Sequence, residues 1–399
     1  MNSAAAPASF LAVNSLRMVQ VGLGPHGRNW ARQVLPQISE IDVVAYVDTD
    51  PYALDALRQE AGVPTDRCFE SLKEAVAATE PVALLNTTAL PGHVPVTRAA
   101  FDAGLHVLVE KPFAPSLDAA EQLVDAAAAR NLILMVSQNY RFFPAPRAIE
   151  ELVREETLGK LHEVSIDFRR FSTAGPNGRG RHHMEEQPLL VDMSIHHFDL
   201  LRLILGREPD RVFCEAWNPG WTSFTGPSVA VATIDFDGVV VSYRASWVSA
   251  GPITPWAGEW SMEFEHGEVV WTSAADSDVT QDRVEIRPRN GKARTVALPP
   301  LQRTGTSGTL TEFARAIRTR FRTAAPSTSC SAASRLGANG FSTRTWSPAS
   351  KAARITGTWP GRAVVLSSAS GWVAAIASFS DSKHRSAGTP ASLRSASSA

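Results

Sequence analysis

The sequence has few of the residues that staple small secreted proteins or build metal sites. Only three cysteines occur among 399 residues, and no two of them form a CxxC pair. This spacing argues against both a disulfide framework and a zinc knuckle. No apolar run approaches the roughly 18–20 residues that a membrane-spanning helix requires. We therefore expect neither a cysteine-based metal centre nor a membrane partner.

An excess of charge of either sign is also missing. The chain carries 39 basic and 40 acidic residues, a net charge of -1, which gives no reason to expect nucleic acid or an acidic membrane as a partner. A content of 44% hydrophobic and 20% charged residues is ordinary for a soluble globular protein of two or three domains. Residues 1–15 lack the basic stretch of a signal peptide, so we expect a disordered leader and a cytoplasmic protein.

Short aliphatic runs alternate with helical patterns across residues 16–141. Strands such as "RMVQV", "IDVVAYV" and "HVLV" are apolar on both faces, and a helical segment follows each of them. Strands of this kind form a parallel sheet covered by helices on both sides. We predict an α/β, doubly wound domain of the Rossmann type here.

The rhythm changes after Arg141. Residues 142–322 are rich in strands with alternating polarity, interrupted by one long helical pattern, "LLVDMSIHHFDLLRLILG". This predicts an α+β domain on a largely antiparallel sheet with one open face. Such an open face usually finds a partner, so we expect a homo-dimer or homo-tetramer.

The stretch from residue 323 to 399 has low complexity. Asp381 is its only acidic residue, periodicity disappears, and the composition predicts disorder or a basic tail. The abrupt loss of acidic residues near Arg320 raises a further hypothesis, translation out of frame after a frameshift. The genomic DNA tests this, because another reading frame should then continue an amphipathic ending.

A glycine-rich motif joins the first strand to the first helix. "VGLGPHG" supplies Gly22, Gly24 and Gly27, with Pro25 and His26 between the last two. A G-x-G-x-x-G in this context allows a tight turn and close approach of backbone N–H groups to a pyrophosphate. The alternative is an ordinary glycine-rich turn with no ligand.

An acidic residue ends the second strand. Asp48 lies 21 positions after Gly27, where a carboxylate accepts hydrogen bonds from the adenosine ribose. It also repels a 2′-phosphate, which favours NAD over NADP as the cofactor. Asp50 is close enough to share this role.

Polar residues follow three further strands of the first domain. In a doubly wound sheet, ligands lie beyond the carboxyl ends of the strands, which places Lys111 of "VEKPFAP" near the nicotinamide half of a dinucleotide. The alternative is a solvated surface lysine. With the glycine-rich motif and Asp48, the predicted cofactor-binding residues at this edge are Asn86, Thr87, Thr88, His93, Glu110, Lys111, Asn139 and Arg141.

Two residues of the later helical pattern carry candidate chemistry. Asp192 and His196 are four positions apart, so on a helix they point the same way, and Asp199 adds a further turn. Three interpretations are open: a helix N-cap with a structural histidine, a divalent-metal site, or general acid/base chemistry. In the last case an imidazole accepts the proton of a substrate hydroxyl while hydride leaves the same carbon.

Together these segments resemble the Gfo/Idh/MocA oxidoreductases, the glucose–fructose oxidoreductase and inositol dehydrogenase group. The resemblance covers roughly residues 16–320, and its specific part is the combination of E-K-P with D-x-x-x-H-x-x-D. It implies that His196 is the acid/base, that Asp192 orients it or the substrate, and that Lys111 binds the reacting oxygen. It implies a sugar, a polyol or a derivative as the substrate, and we expect no metal.

Several segments depart from the family pattern. "MEEQPLLVD" replaces a glycine-rich stretch, and Ser194 stands where glycine is common. The loop that contains His182, His183, Glu185 and Glu186 could mimic a metal cluster, although we expect a polar substrate-side loop. A group of tryptophans suits either a sugar platform or a dimer interface: Trp247, Trp256 and Trp260.

The leading functional hypothesis is an NAD(P)-dependent dehydrogenase acting on a sugar or cyclic polyol. Two alternatives stay open at this point. One is an NAD-dependent, glycosidase-like enzyme that oxidises its substrate transiently. The other is a non-catalytic, dinucleotide-sensing regulator on the same fold.

Overall fold

The computed structural model describes residues 15–172, 174, 180–273 and 282–324. The predicted leader up to residue 14 and the low-complexity stretch from residue 325 lie outside the described residues. The described chain forms two sheets with separate hydrophobic cores.

The first sheet has six parallel strands in the order β3-β2-β1-β4-β5-β6. Its central strands bury both faces, because helices cover the sheet from either side. This confirms the predicted Rossmann architecture. The strands are β1 Leu16–Val21, β2 Ile41–Val47, β3 Cys68–Phe69, β4 Ala83–Asn86, β5 His106–Val109 and β6 Leu134–Val136.

Helices link these strands and begin at residues suited to helix starts. Pro51 opens the second helix behind an Asp50 cap, and the Ser116 hydroxyl accepts a hydrogen bond from the Ala119 N–H at 3.2 Å to cap the fifth. The helices are α1 Pro25–Asn29, α2 Pro51–Ala61, α3 Leu72–Thr79, α4 Leu90–Asp102 and α5 Leu117–Ala129. Strand β3 and helix α3 were not among the predicted elements.

The second sheet has eight strands in the order β14-β13-β12-β11-β7-β10-β9-β8. Only the β7–β10 pair is parallel, so the sheet is largely antiparallel, as predicted. Helices α6 Pro144–Arg154 and α8 Ser194–Leu205 contribute to its core, and α7 Arg181–Met184 is a single turn. The strands are β7 Leu161–Arg169, β8 Arg211–Trp217, β9 Val229–Phe236, β10 Val239–Ser246, β11 Glu259–Phe264, β12 Gly267–Ser273, β13 Asp282–Pro288 and β14 Arg294–Thr295.

Two helices differ from their sequence patterns. Helix α1 ends at Asn29. The chain then forms a π-helical turn and a 3-10 turn, because Pro36 cannot donate a helical hydrogen bond. Helix α8 begins at Ser194, so Asp192 precedes it in an irregular turn. The inference that Asp192 and His196 share one helical face was therefore wrong.

The last described helix, α9 Gly305–Ala324, returns to the first sheet. Leu310, Phe313 and Ile317 are fully buried in the same core as Leu16 and Met18. The sequence predicts this helix within the domain of residues 142–322, because its apolar stripe does not specify which sheet it covers. No helix in the described part of the chain is long and apolar enough to cross a membrane.

Candidate active site

The glycine-rich loop after β1 is shaped by close packing at two glycines and by open space at the third. Gly22 has a φ of +94°, and a Cβ there would collide with the Thr88 backbone. A Cβ on Gly27 would collide with the Gly22 carbonyl. A Cβ on Gly24 would meet no protein atom within 4 Å. The fold therefore requires Gly22 and Gly27, whereas Gly24 leaves the cradle that a pyrophosphate would fill.

Asp48 holds the glycine-rich loop in place. Its Oδ2 accepts a hydrogen bond from the Leu23 N–H at 2.6 Å, and its Oδ1 accepts one from the Asp50 N–H at 3.0 Å. The Asp50 carboxylate caps α2 by accepting a hydrogen bond from the Tyr52 N–H. Asp48, unlike Asp50, lines the cleft and retains lone pairs for a ligand.

Residues after β4 build the opposite wall. Asn86 is fully buried, and its amide donates hydrogen bonds to the His93 carbonyl and the Thr97 hydroxyl. The Thr87 hydroxyl donates to the Gly22 carbonyl at 2.7 Å, and His93 Nδ1 lies 2.7 Å from the Pro112 carbonyl. Thr87, Thr88 and His93 line the cleft, whereas Asn86 supports them from behind.

A cleft of about 680 Å³ lies between the two halves of the described chain. The glycine-rich loop, Asp48 and the segment around Lys111 form one side of it. His182, Glu185, Glu186 and Asp192 form the other. Carboxylate, ammonium and imidazole groups therefore meet in a space large enough for a small ligand beside a dinucleotide.

Lys111 and Asp192 meet across this cleft. Lys111 Nζ donates hydrogen bonds to Asp192 Oδ1 at 2.9 Å and to the Asp192 carbonyl at 3.0 Å. His182 Nδ1 lies 3.2 Å from Asp192 Oδ2. Burial alone would raise the pKa of Asp192, but the hydrogen bonds from His182 and Lys111 and the charge of Lys111 hold it well below its usual range. Asp192 is therefore an anion at neutral pH.

Glu110 fixes the backbone of Lys111, its neighbour in the chain. Its Oε1 accepts a hydrogen bond from the Trp30 indole at 2.9 Å and lies 3.3 Å from His26 Nε2. Its Oε2 accepts a hydrogen bond from the Lys111 backbone N–H at 3.0 Å. Glu110 is buried by these contacts and connects the glycine-rich helix to the lysine loop.

His196 is buried, is not among the residues that line the cleft, and lies beneath an aromatic ring. Its imidazole stacks on Tyr140 with a centroid distance of 4.3 Å, and its Nδ1 is buried with no hydrogen-bond partner among the described residues. Burial, the Lys111 ammonium and His197 hold the pKa of His196 well below its usual range, which Asp192 opposes only in part. The imidazole is thus neutral at pH 7, the form that accepts a proton.

Arg141 and Asn139 lie away from the cleft lining. Arg141 donates two hydrogen bonds to the buried Asp199 carboxylate at 2.6 and 2.7 Å, and Asn139 begins the 3-10 turn that carries Arg141. Asp199 is therefore engaged by a cation rather than by Asp192 and His196. In the described parts of the chain, no group of three or more His, Cys, Asp or Glu side chains is arranged to hold a metal ion.

His197 belongs to a separate buried network. Its Nε2 lies 3.0 Å from the Trp256 carbonyl, its Nδ1 lies 2.9 Å from the Tyr243 hydroxyl, and that hydroxyl bonds Ser194 at 2.6 Å. Burial lowers the pKa of His197 to about 4. Ser194 thus has a specific partner in Tyr243, which accounts for a serine at a position where glycine is common.

Two sequence interpretations change at this point. Trp247 and Trp260 are buried in the core of the second sheet, so they form neither a sugar platform nor a dimer surface, and Trp256 is the partly exposed member of the group. His182 is predicted to lie in a polar substrate-side loop, with a metal cluster as the alternative, and the structure shows that it contacts Asp192 directly. Its ten-residue separation from Asp192 carries no helical or strand period that could have indicated this contact.

Comparisons with known proteins agree with this geometry. A family model described as "Oxidoreductase family, NAD-binding Rossmann fold" matches residues 16–138, and one described as "GFO/IDH/MocA C-terminal domain" matches residues 147–275. A D-apiose dehydrogenase of Paraburkholderia graminis is 24% identical over 73% of this chain and 75% of its own. An uncharacterized Sinorhizobium fredii protein, y4oX, is 27% identical over 71% of this chain and 81% of its own.

A solved structure extends the comparison to the fold. The inositol dehydrogenase homolog of Azotobacter vinelandii, crystallised with NADH and myo-inositol, superposes with a TM-score of 0.63 at 18% identity. The alignment covers 78% of this chain and 88% of that one. At this identity the likeness concerns the fold alone.

Proposed function

Because the chain belongs to the Gfo/Idh/MocA family of NAD-binding oxidoreductases, we propose that it oxidises a CH–OH group of a sugar, a cyclic polyol or a derivative of one. One observation carries this proposal. Lys111 from the nucleotide-binding half bonds Asp192 from the other half at 2.9 Å, in the cleft that also contains the open space beside Gly24. A dinucleotide and a hydroxylated substrate would meet at this point.

Three polar residues have roles in that reaction. Lys111 binds the reacting oxygen and stabilises the negative charge that develops on it. Asp192 holds the ammonium in place, and neutral His196 accepts the hydroxyl proton. Bound NAD would supply the acceptor for the hydride. The hydride departs from the substrate carbon and takes both electrons of the C–H bond with it, as the C=O bond forms. Tyr140 fixes the imidazole plane by stacking.

The cofactor is NAD rather than NADP in this proposal. The Asp48 carboxylate lies at the cleft with both oxygens fixed by backbone N–H groups, and its charge opposes a 2′-phosphate. Asp48→Ser should weaken NAD binding and raise the relative affinity for NADP by about tenfold, since removing one repulsive contact changes binding by about 1.4 kcal/mol. Fluorescence titration with both cofactors measures this ratio, and an unchanged ratio contradicts the role of Asp48.

An absorbance assay at 340 nm tests the proposed activity. Purified protein, NAD and a panel of sugars and inositols should produce NADH with at least one member. His196→Ala should remove turnover and leave NAD affinity within about threefold of wild type, because a general base contributes about 10²–10⁴-fold to rate. A panel without turnover, while a chromogenic glycoside is cleaved only with NAD present, supports the glycosidase-like alternative instead.

The open face of the second sheet supports a homo-oligomer. Phe213, Val231 and Val240 project from it and are between 44% and 49% exposed. Exposed apolar side chains grouped on one sheet face mark an association surface. We expect a dimer or tetramer by light scattering after gel filtration, and Val231→Glu should shift it toward the monomer. A cytoplasmic location stays a prediction.

A further inference from the structure

His182 is a cleft residue that the roles proposed above do not use. It lies on α7, ten residues before Asp192, and it lines the cleft together with Asp192 and Lys111. Its Nδ1 is 3.2 Å from Asp192 Oδ2, while Lys111 Nζ is 2.9 Å from Asp192 Oδ1. The two oxygens of one carboxylate therefore hold an imidazole on one side and an ammonium on the other.

This contact determines which nitrogen of His182 carries the proton. An ionised carboxylate only accepts hydrogen bonds, so Nδ1 of the neutral ring must be the protonated, donating nitrogen. Nε2 then carries a lone pair and acts as an acceptor. Asp192 thus defines the tautomer of His182 in the same way that an outer carboxylate orients a metal-bound histidine.

The ring of His182 is held firmly in this orientation. Trp247 packs against it at a centroid distance of 4.6 Å and an interplanar angle of 78°, and Phe224 packs at 5.4 Å and 87°. Nε2 is buried and has no hydrogen-bond partner among the described residues. A buried acceptor without a partner is costly, so this nitrogen calls for a partner that the described residues do not supply.

We propose that Nε2 of His182 accepts a hydrogen bond from a second hydroxyl of the substrate, beside the hydroxyl bound by Lys111. His182 and Lys111 contact the two oxygens of the same carboxylate, so a substrate held by Lys111 lies next to His182. Sugars and cyclic polyols present hydroxyls on adjacent carbons, whereas a simple secondary alcohol does not. His182 therefore selects substrates that carry a second hydroxyl, an inference that rests on the proposed dehydrogenase function.

Kinetics with deoxygenated substrates test this role. A panel member that turns over is compared with its analogues lacking one hydroxyl at a time, in wild type, His182→Asn, His182→Ala and the control His183→Gln. Asn keeps an N–H donor toward Asp192 and lacks Nε2. His183 is a matched neighbour because it is buried on the same turn, bonds Ser172 and does not line the cleft.

Wild type and His183→Gln should lose about tenfold or more in kcat/KM with one analogue, because a site built to bond a hydroxyl rejects a substrate without it. Both His182 variants should treat that analogue and the parent substrate alike to within about twofold, the expected signature of a lost pairwise contact. Discrimination that persists in His182→Asn and His182→Ala overturns the proposal.

A measurement without turnover separates this inference from the proposed function. Nitrogen-15 NMR of histidine-labelled protein, assigned by comparison with His182→Asn, reports the tautomer directly. We expect protonated Nδ1 and unprotonated Nε2, and a shift of the Nε2 resonance when myo-inositol is added to the NAD-bound protein. A protonated Nε2, or an Nε2 resonance that no panel polyol moves, overturns the inference even if the enzyme is active. Inactive wild type with the expected tautomer and shift would instead count against the dehydrogenase function alone.

Discussion

Asp192→Asn is the sharpest test of the geometry at the cleft. The substitution keeps the size of the side chain and removes its charge. The asparagine amide can accept from either Lys111 or His182 but presents an N–H to the other, so one of the two contacts becomes a clash between donors. The ammonium then loses the partner that directs it toward the reacting oxygen.

The magnitude follows from the two contacts. A pair of unit charges 2.9 Å apart attracts by about 6 kcal/mol at an effective dielectric constant of about 20. Side-chain exposures of 25% for Lys111 and 33% for Asp192 mean that water screens part of this attraction. Hydrogen bonds to charged groups contribute about 1.5–3 kcal/mol each, so losing one and weakening the other costs about 2–4 kcal/mol in the transition state. That loss corresponds to a fall of roughly 30- to 1,000-fold in kcat/KM.

The assay is NADH formation at 340 nm, with NAD affinity measured separately by fluorescence. Affinity for NAD should stay within about threefold of wild type, because Asp192 faces the substrate side of the cleft. Asp102→Asn is the control, since it makes the same change at an exposed ion pair with Arg130 and should alter neither quantity. An Asp192→Asn variant with kcat/KM within threefold of wild type would refute the reasoning, as would a parallel loss of NAD affinity.

Three further predictions concern the cofactor, the contact between the two halves and the response to acid. Gly24→Ala should unfold like wild type, because its Cβ meets no protein atom, yet it should bind NAD at least about tenfold more weakly by fluorescence, since the Cβ enters the cofactor's space. Arg141→Met should lower the free energy of unfolding in urea by about 3–5 kcal/mol, because it leaves the Asp199 carboxylate buried and unpaired; adding Asp199→Asn should recover part of the loss, and full stability in the single variant would contradict this. Burial lowers the pKa of His106 to about 4, and its Nδ1 accepts the Ile133 N–H. Because the pKa of His106 is lower in the folded than in the unfolded chain, neutral His106 contributes its full stabilisation above about pH 6.5. This contribution is lost as pH falls toward 4, by about 3 kcal/mol in all. Chemical denaturation between pH 4 and 7 measures how the free energy of unfolding depends on pH. This dependence should be shallower in His106→Asn than in wild type, because the asparagine does not titrate and its amide oxygen still accepts the Ile133 N–H. An identical dependence in the two proteins would contradict the role of His106.

Local patterns were sufficient for most strands of the first sheet and for the glycine-rich turn after β1. The strands of the first sheet are short and apolar on both faces, so their period and flanking turns identified a parallel sheet. The glycine spacing was informative because a Cβ at Gly22 or Gly27 would collide with the backbone. The colliding atoms belong to the same strand–helix turn or to the loop after β4. The position of Asp48 at the end of β2 was predicted from the same strand–helix–strand unit.

Patterns of this kind also led to two wrong inferences. The helical period around Asp192 continued across the start of α8, which hid the irregular turn that actually presents the carboxylate. Tryptophans in a Gly/Pro-rich segment resembled a binding platform, although Trp247 and Trp260 fill the core. For the tryptophans, composition is the same for the exposed and the buried arrangement, and burial is decided by the elements that pack against them.

The sequence by itself determined the type of each half and the identities of Lys111, Asp192 and His196 as candidates, because strand and helix periods and short motifs depend on neighbouring residues. Only the tertiary structure decided that Lys111 and His182 share the two oxygens of Asp192, and that Arg141 engages Asp199. These contacts join residues that are 81, 10 and 58 positions apart. No sequence period spans such separations: the packing of the two halves brings Lys111 to Asp192 and Arg141 to Asp199, and the fold of the second half brings His182 to Asp192.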